Sequence, residues 1–402
     1  MAVGLRSPTD LGSVPGIRLG TACARIRYSD RADLTVIEIA QGASCAAVFT
    51  QNAFCAAPVT LARRHLAAAS PRFLLINAGN ANAGTGAQGV QDALSCCKAL
   101  ADMTGCEAEQ VLPFSTGVIG EPLPVTRIVT AIPDAVDRLS EGGWLDAARG
   151  IMTTDTVAKG CSRKITINAR PVSITGIAKG AGMIRPDMAT LLSFIATDAV
   201  MDSAALQACL GEAVAGSFNR ITVDGDTSTN DACVLMATRQ SGVVIDDTNS
   251  GDFQQALNAV CLELAQAVIR DGEGANRFVT VQVEAGRNKA ECLQVAYAIA
   301  HSPLVKTALF AGDPNWGRIL AAVGRAGIGD LDIQRVQIYL HDVCIVRDGE
   351  RASDYRESAG TDVMAREEIL IRVVLGRGKA TESVWTTDLS YDYVRINAEY
   401  RT

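Results

Sequence analysis

The stretch Lys179-Gly-Ala-Gly-Met-Ile-Arg-Pro-Asp-Met-Ala-Thr190 holds residue types whose order could do chemistry. Gly180 and Gly182 loosen the backbone ahead of a Pro186-Asp187 corner, and a small residue, Ala189, then meets the hydroxyl of Thr190. Glycine permits backbone shapes that other residues resist, and proline fixes its own torsion and restrains its predecessor. A threonine hydroxyl is a weak nucleophile without an adjacent base, and one solution is an N-terminal threonine whose own α-amine is that base. A free α-amine titrates at about 7.7–8.0, close to working pH. An internal Thr190 acquires that amine only if the Ala189–Thr190 bond is cut, which a strained small-residue–Thr bond permits through an N-to-O acyl shift. Local pattern leaves open the plainer reading of a Gly/Pro turn ahead of the strand Leu191–Asp198.

Other candidates are weaker by spacing. Ser115-Thr-Gly-Val-Ile-Gly120, after a Leu112-Pro113 break, reads as a small-residue loop able to turn backbone N–H groups toward a developing negative charge, or as a simple turn. Ile151-Met-Thr-Thr-Asp-Thr156 gathers hydroxyls around one carboxylate, which also suits a cap or a strand end. Lys179 alone would read as a solvated surface lysine. Val223–Asp231 has acids and Asn at short spacing but lacks the length and terminal Glu of an EF-hand, so a tight turn is the better reading. Twelve cysteines are scattered with no Cys-x-x-Cys pair; Cys209, Cys233 and Cys261 lie in apolar surroundings and read as small buried hydrophobes of a reducing, cytoplasmic compartment. His65, His301 and His341 stand in no metal-ligand spacing or nucleophile motif, so neither a His-based triad nor a zinc site is expected, and no cofactor or metal is called for.

The blocks KGAGMIRPDMATLLSFIATDA (179–199), VFTQNAFCAAPV (48–59), INAGNANAGTGAQG (76–89), FSTGVIGEPLP (114–124), IMTTDT (151–156), VDGDTSTND (223–231), DGEGA (271–275), GDPNWGRI (312–319) and INAEYRT (396–402) together closely resemble the ornithine acetyltransferase family, also called glutamate N-acetyltransferase. That resemblance implies a layered αββα sandwich with N-terminal-nucleophile-like self-processing, and a smaller C-terminal α/β domain. It implies cleavage between Ala189 and Thr190, with Thr190 as nucleophile and Thr116 and Gly117 as the oxyanion hole. Substrate binding falls to Thr153, Lys179, Thr190, Glu273, Asn397 and Thr402; a carboxylate at Glu273 suits an amine-bearing ligand such as ornithine. The implied substrates are N-acetylornithine and glutamate, with acetyl-CoA as a co-substrate in some family members. The implied assembly is an α2β2 heterotetramer built from the two chains of one precursor. The terminal Asn397 and Thr402 imply a tail folded back over the pocket. Arg185, where a small or neutral residue is expected, adds a charge beside the cleavage loop; Ala78 and Gly84 stand where Ser and Cys are frequent. Two other readings are a Thr- or Ser-nucleophile aminopeptidase or amidase, which hydrolyses its acyl-enzyme, and a non-enzymatic amino-acid-binding protein.

The elements that must position these residues follow from patterning. The 402-residue chain carries a net charge of −7, with 48% hydrophobic and 20% charged residues, ordinary for a globular protein long enough for two lobes. No basic stripe with interleaved aromatics points to nucleic acid, and no apolar run approaches the roughly 20 residues of a membrane span. Strands are predicted over 33–40, 45–50, 72–77 and 191–198, with a hairpin over 163–177. Helices are predicted over 59–69, 90–104, within 134–150 with Trp144 as core, over 203–217 with Ser203 as N-cap, and over 254–269 and 289–301. Further strands are predicted over 278–283, 337–340, 368–374 and 382–387. The alternation indicates an α/β protein, with a catalytic domain over 1–284 and a second domain over 285–402.

Overall fold

The computed structural model of the chain describes residues 2–185 and 191–399. It divides into two compact units. The larger comprises Arg6–Asn219 and Asp226–Val268; the smaller comprises Met1–Leu5, Arg220–Gly225 and Ile269–Thr402.

In the larger unit the chain alternates between two sheets. Strands β1 (Ile17–Ala22) and β2 (Leu34–Ile39) start the first sheet, β3 (Ser44–Phe49) belongs to the second, and β4 (Phe73–Asn80) and β5 (Val111–Val118) return to the first, in the order β1-β2-β4-β5. Strands β6 (Lys159–Ile167), β7 (Arg170–Lys179), β8 (Leu192–Thr197) and β9 (Ala232–Ala237) complete the second, in the order β3-β9-β8-β7-β6. Among the described residues six α-helices accompany them: α1 (Ala57–Ala68), α2 (Gly86–Thr104), α3 (Val125–Asp137), α4 (Trp144–Gly150), α5 (Ser203–Gly216) and α6 (Ser250–Arg270).

The two-residue period of a strand explains the layering. Along β4, Leu74 and Ile76 join a core shared with Phe194, Val234 and Met236 of the second sheet, while Phe73 and Leu75 face the opposite way into a cluster with Cys97 and Leu100 of α2 and Ile128 and Ile132 of α3. Phe114 and Phe194 meet edge to face across the inter-sheet core, centroids 5.2 Å apart, a geometry that adds about 0.5–1.5 kcal/mol beyond burial. In β7, Ile177 points into that core, so its neighbour Gly176 faces out, where an added Cβ would meet Leu264 and Val260 of α6. The layers are therefore helix, sheet, sheet, helix, as expected.

The local predictions differ from the structure most at three residues, Pro113, Pro133 and Ser203. Pro113 lies inside β5, and β5 is an edge strand, the sheet position that tolerates a residue without an N–H. The helix expected from 134 begins at Val125 and carries Pro133 inside it; burial of Ile128, Ala131, Ile132 and Ala135 outweighs one missing hydrogen bond. The N-cap of α5 is Asp202, whose carboxylate accepts from the Ala205 N–H, and not Ser203.

The smaller unit is one mixed sheet with helices. Its strands are β10 (Phe278–Gly286), β11 (Gln337–Leu340), β12 (Val343–Arg347), β13 (Glu350–Arg351), β14 (Glu368–Val374) and β15 (Ala380–Thr387), in the order β13-β12-β11-β14-β10-β15. Its helices are α7 (Lys289–Ala300), α8 (Pro303–Ala311), α9 (Trp316–Gly324), α10 (Glu357–Met364) and α11 (Tyr391–Ala398). β10 pairs in parallel with β14 and antiparallel with β15, and its Val279, Val281 and Val283 sit in this unit's core. That pairing holds Phe278–Gly286 in this unit, which includes residues from Ile269 onward.

Candidate active site

Thr116 and Gly117 lie at the carboxyl end of β5, where the ladder with β4 breaks register: Asn80 opposes both Thr116 and Val118. Such a bulge re-aims the residues beside it. Gly117 has φ +133, and a Cβ there would lie 2.2 Å from the Gly79 carbonyl carbon, so the position admits only glycine. Asparagines brace the strand end. The Ser115 hydroxyl donates to Asn77 Oδ1 at 2.6 Å, Asn77 Nδ2 donates to the Asn80 carbonyl at 2.8 Å, and Asn230 Nδ2 donates to the carbonyls of Ala81 and Ser115 at 2.6 and 2.9 Å. The polar runs 76–89 and 223–231 thus hold the Thr116–Gly117 corner in place.

Lys179 is the last residue of β7 and is 4% exposed, so it is no solvated lysine. Its Nζ donates to Thr153 Oγ1 at 2.7 Å and to Thr116 Oγ1 at 3.1 Å. An ammonium only donates, so both hydroxyls accept from it, and each keeps its own proton for another acceptor. A charged donor flanked by two hydroxyls, with Gly117 adjoining, is suited to stabilising charge on a carbonyl oxygen. Arg31 supports the Thr153 loop by donating to the carbonyls of Met152 and Thr153, at 3.3 and 3.2 Å, while lying 3.6 Å from the centroid of the Tyr28 ring.

Beneath Lys179 lies Asp155, with its side chain fully buried. One carboxylate oxygen accepts from Lys159 Nζ at 2.6 Å and from the Gly180 N–H at 2.8 Å; the other accepts from the Thr153 N–H at 3.0 Å and lies 3.9 Å from Lys179 Nζ. Burial opposes the charge, but Lys159 and Lys179 overcome it and hold the carboxyl well below the usual carboxylate range. Downstream, Leu192 pairs with Lys179 in the β7–β8 ladder, and the Leu191 N–H donates to Asp231 Oδ1 at 2.9 Å.

In the smaller unit, Glu273 is buried at 8% exposure, and Asn397 Nδ2 donates to its Oε2 at 2.8 Å. The segment leading to Asn397 is tied to the Glu273 loop. Asp388 accepts from the N–H groups of Asn276 and Arg277 at 2.8 and 3.0 Å, Ser390 donates to the Gly274 carbonyl at 2.7 Å, and Tyr393 donates to Asp224 at 3.1 Å. The structure therefore groups Thr116, Gly117, Thr153 and Lys179, and separately Glu273 and Asn397; Ala189, Thr190 and Thr402 lie outside the described residues.

Sequence reasoning missed Asp155, Lys159, Asn230 and Asp231 as site residues. Asp155 stood in a noted motif, but as one acid among hydroxyls it pointed equally to a helix cap. The twelve cysteines are free thiols, and burial pushes Cys233 up to about 12, consistent with its reading as a small hydrophobe, whereas Cys209 is only half-buried. Among the described residues, no group of three or more His, Cys, Asp or Glu is arranged to hold a metal ion, and no helix is long and apolar enough to cross a membrane.

A family model described as the ArgJ family matches residues 18–402. A Methylococcus capsulatus protein named arginine biosynthesis bifunctional protein ArgJ is 59% identical over 392 residues, covering 97% of this chain and 96% of that one. Its namesake in Pseudomonas syringae pv. tomato is 55% identical over 406 residues, covering 100% of both. The crystal structure of the Bacillus halodurans protein of that name is similar with a TM-score of 0.48 and 38% identity, covering 50% of this chain and 96% of that one.

Proposed function

The chain belongs to the ArgJ family, and on that premise we propose that it is a self-cleaving glutamate N-acetyltransferase of arginine biosynthesis, moving acetyl from N2-acetylornithine to glutamate through Thr190. The observation that supports this reading best is the convergence of Lys179 Nζ on the Thr116 and Thr153 hydroxyls at the end of the strand that leads to the Ala189–Thr190 bond.

The chemistry runs in two half-reactions. After cleavage the Thr190 α-amine takes the hydroxyl proton as Oγ attacks the acetyl carbonyl. The tetrahedral oxyanion receives hydrogen bonds from Thr116 and the Gly117 N–H; removing one such donor elsewhere costs about 2.7–4 kcal/mol. The proton passes to the departing ornithine amine, leaving acetyl as an ester on Thr190. The glutamate amine then attacks that ester, acetylglutamate leaves, and the Thr190 hydroxyl regains its proton, giving ping-pong kinetics. Thr153 and Lys179 bind substrate beside the reacting carbonyl, and Glu273, Asn397 and Thr402 are assigned substrate binding by the family resemblance, Glu273 to an ornithine ammonium. Acetyl-CoA serves as a second acetyl donor, consistent with the bifunctional names of the relatives. No resident cofactor is required, the assembly is α2β2, and the compartment is cytoplasmic, which suits twelve free thiols.

Intact mass spectrometry under denaturing conditions is the test. The wild type gives two masses meeting at Ala189/Thr190 and exchanges acetyl between acetylornithine and labelled glutamate. Thr190→Ala gives one full-length mass and no exchange; a cleaved and active Thr190→Ala protein would sink the mechanism. An aminopeptidase or amidase would instead release acetate without glutamate, a reading that 59% identity along nearly the whole chain disfavours.

A further inference from the structure

We propose that Asp155 and Asp231 are positioning residues that hold the two ends of the connection between β7 and β8, and that self-cleavage and acetyl transfer both depend on them. The proposal rests on the self-cleaving reading above and deepens it. Lys179 and Leu192 are register partners, so the connection leaves and re-enters the sheet at adjacent positions. Its first residue, Gly180, donates its N–H to Asp155 Oδ1 at 2.8 Å; its last, Leu191, donates its N–H to Asp231 Oδ1 at 2.9 Å. Both carboxylates are buried, Asp155 at 7% and Asp231 at 1% exposure. Leu191 directly follows Thr190 in sequence, so the bond to Asp231 anchors the backbone one residue past the scissile bond.

The two acids do this differently. Asp155 also accepts the Thr153 N–H at 3.0 Å and lies 3.9 Å from the Lys179 ammonium, so one carboxylate sets the distance between the Thr153 hydroxyl and its partner Lys179. Lys159, 2.6 Å away, keeps that carboxylate charged in a buried place. Asp231 is held at the start of β9, where the Ala232 N–H donates back to the Leu191 carbonyl at 3.1 Å, so Leu191 is gripped through both its N–H and its carbonyl. An ester-forming N-to-O shift needs the Thr190 hydroxyl over the Ala189 carbonyl, and near-attack geometry of this kind is lost with displacements of about 1 Å. Fixed ends are the way a connection keeps such a geometry.

The test is the rate at which full-length precursor, made by cell-free synthesis, is converted to two chains, followed by intact mass. Asp155→Asn and Asp155→Ala should each slow conversion about tenfold or more, because the charge facing Lys179 is lost in both. Asp231→Ala should slow it similarly, whereas Asp231→Asn, which keeps an oxygen for the Leu191 N–H, should recover most of the rate. Matured Asp155→Asn should also raise KM for acetylornithine severalfold, and matured Asp231→Asn should not. Asp198 is the control. It too is a buried carboxylate accepting a backbone N–H, from Ser173 at 2.9 Å, but follows the opposite end of β8. Asp198→Ala should be cut at the wild-type rate. Melting each variant in a Thr190→Ala background separates folding loss from processing loss. Wild-type conversion rates in the Asp155 variants and Asp231→Ala overturn the proposal, as does an Asp198→Ala variant slowed equally. A wild-type precursor that stays uncut overturns the self-cleaving reading itself, and this proposal with it.

Discussion

In the larger unit the Lys159 ammonium sits 2.6 Å from the Asp155 carboxylate; in the smaller, the Lys306 ammonium is bonded to the Thr386 hydroxyl at 3.0 Å and to the Thr387 carbonyl. All three charged side chains are buried. At Asp155 burial opposes ionisation, yet the lysines prevail and the carboxyl is held low. At Lys306 burial prevails over the more distant Asp388 and Asp224 and lowers the ammonium to about 8. The difference lies in contact. A carboxylate at hydrogen-bond distance compensates for lost hydration; neutral acceptors with charges further off do so only in part.

Removing the contact partner is the strongest way to break this comparison. Lys159→Met takes away the ammonium at 2.6 Å and leaves Asp155 buried, and should destabilise the larger unit by about 3–5 kcal/mol in urea unfolding. A loss below about 1 kcal/mol would mean that the pair matters little to the fold. Lys306→Met should cost only about 1 kcal/mol at pH 7, because the lost hydrogen bonds are offset by relief of a desolvated charge. Lys306 sharpens the comparison through its pH window. Its folded value, about 8, lies below the ordinary 10.5, so between those values the unfolded chain binds more proton than the folded one and stability rises with pH. Wild type should therefore gain on Lys306→Met between pH 8 and 10.5, and a constant difference would refute the lowered value. Asp155 has the opposite sign. Its folded value lies below 3.8, so its contribution is complete above that value and is lost as acid drives the pH down through the folded value. The smallest effect belongs to Arg163 and Glu263, paired while half exposed: Arg163→Ala should shift stability by less than about 0.5 kcal/mol.

What the sequence made legible was local. Trp144 was expected in a core and is fully buried, the alternating run of β2 falls where period-two patterning placed it, and β4 covers the strand expected over 72–77 and runs on to Asn80. Pro113 misled, and the part of α3 before residue 134 was missed, because proline's cost depends on whether a strand is at an edge, and a helix's extent on how well its face is buried, neither of which is written in neighbouring residues. The grouping of Thr116, Thr153 and Lys179 was foreseen through family motifs, not through spacing. Asp155 and Asp231 escaped even that, because each acts on a backbone N–H far along the chain: Asp155 on Gly180, Asp231 on Leu191. Every residue but proline carries the same backbone N–H, so a carboxylate's bond to one is not written in residue types.

The strand order β3-β9-β8-β7-β6 has one more consequence. β3, β6 and β7 come before the Ala189–Thr190 bond, and β8 and β9 come after it, interleaved in the same sheet. A cut at that bond leaves this sheet shared between the two pieces, each supplying strands that the other flanks. The pieces then have no dissociation step separate from unfolding of that sheet, and dilution should not part them. Their joint lifetime becomes an unfolding rate, independent of concentration, rather than a binding constant.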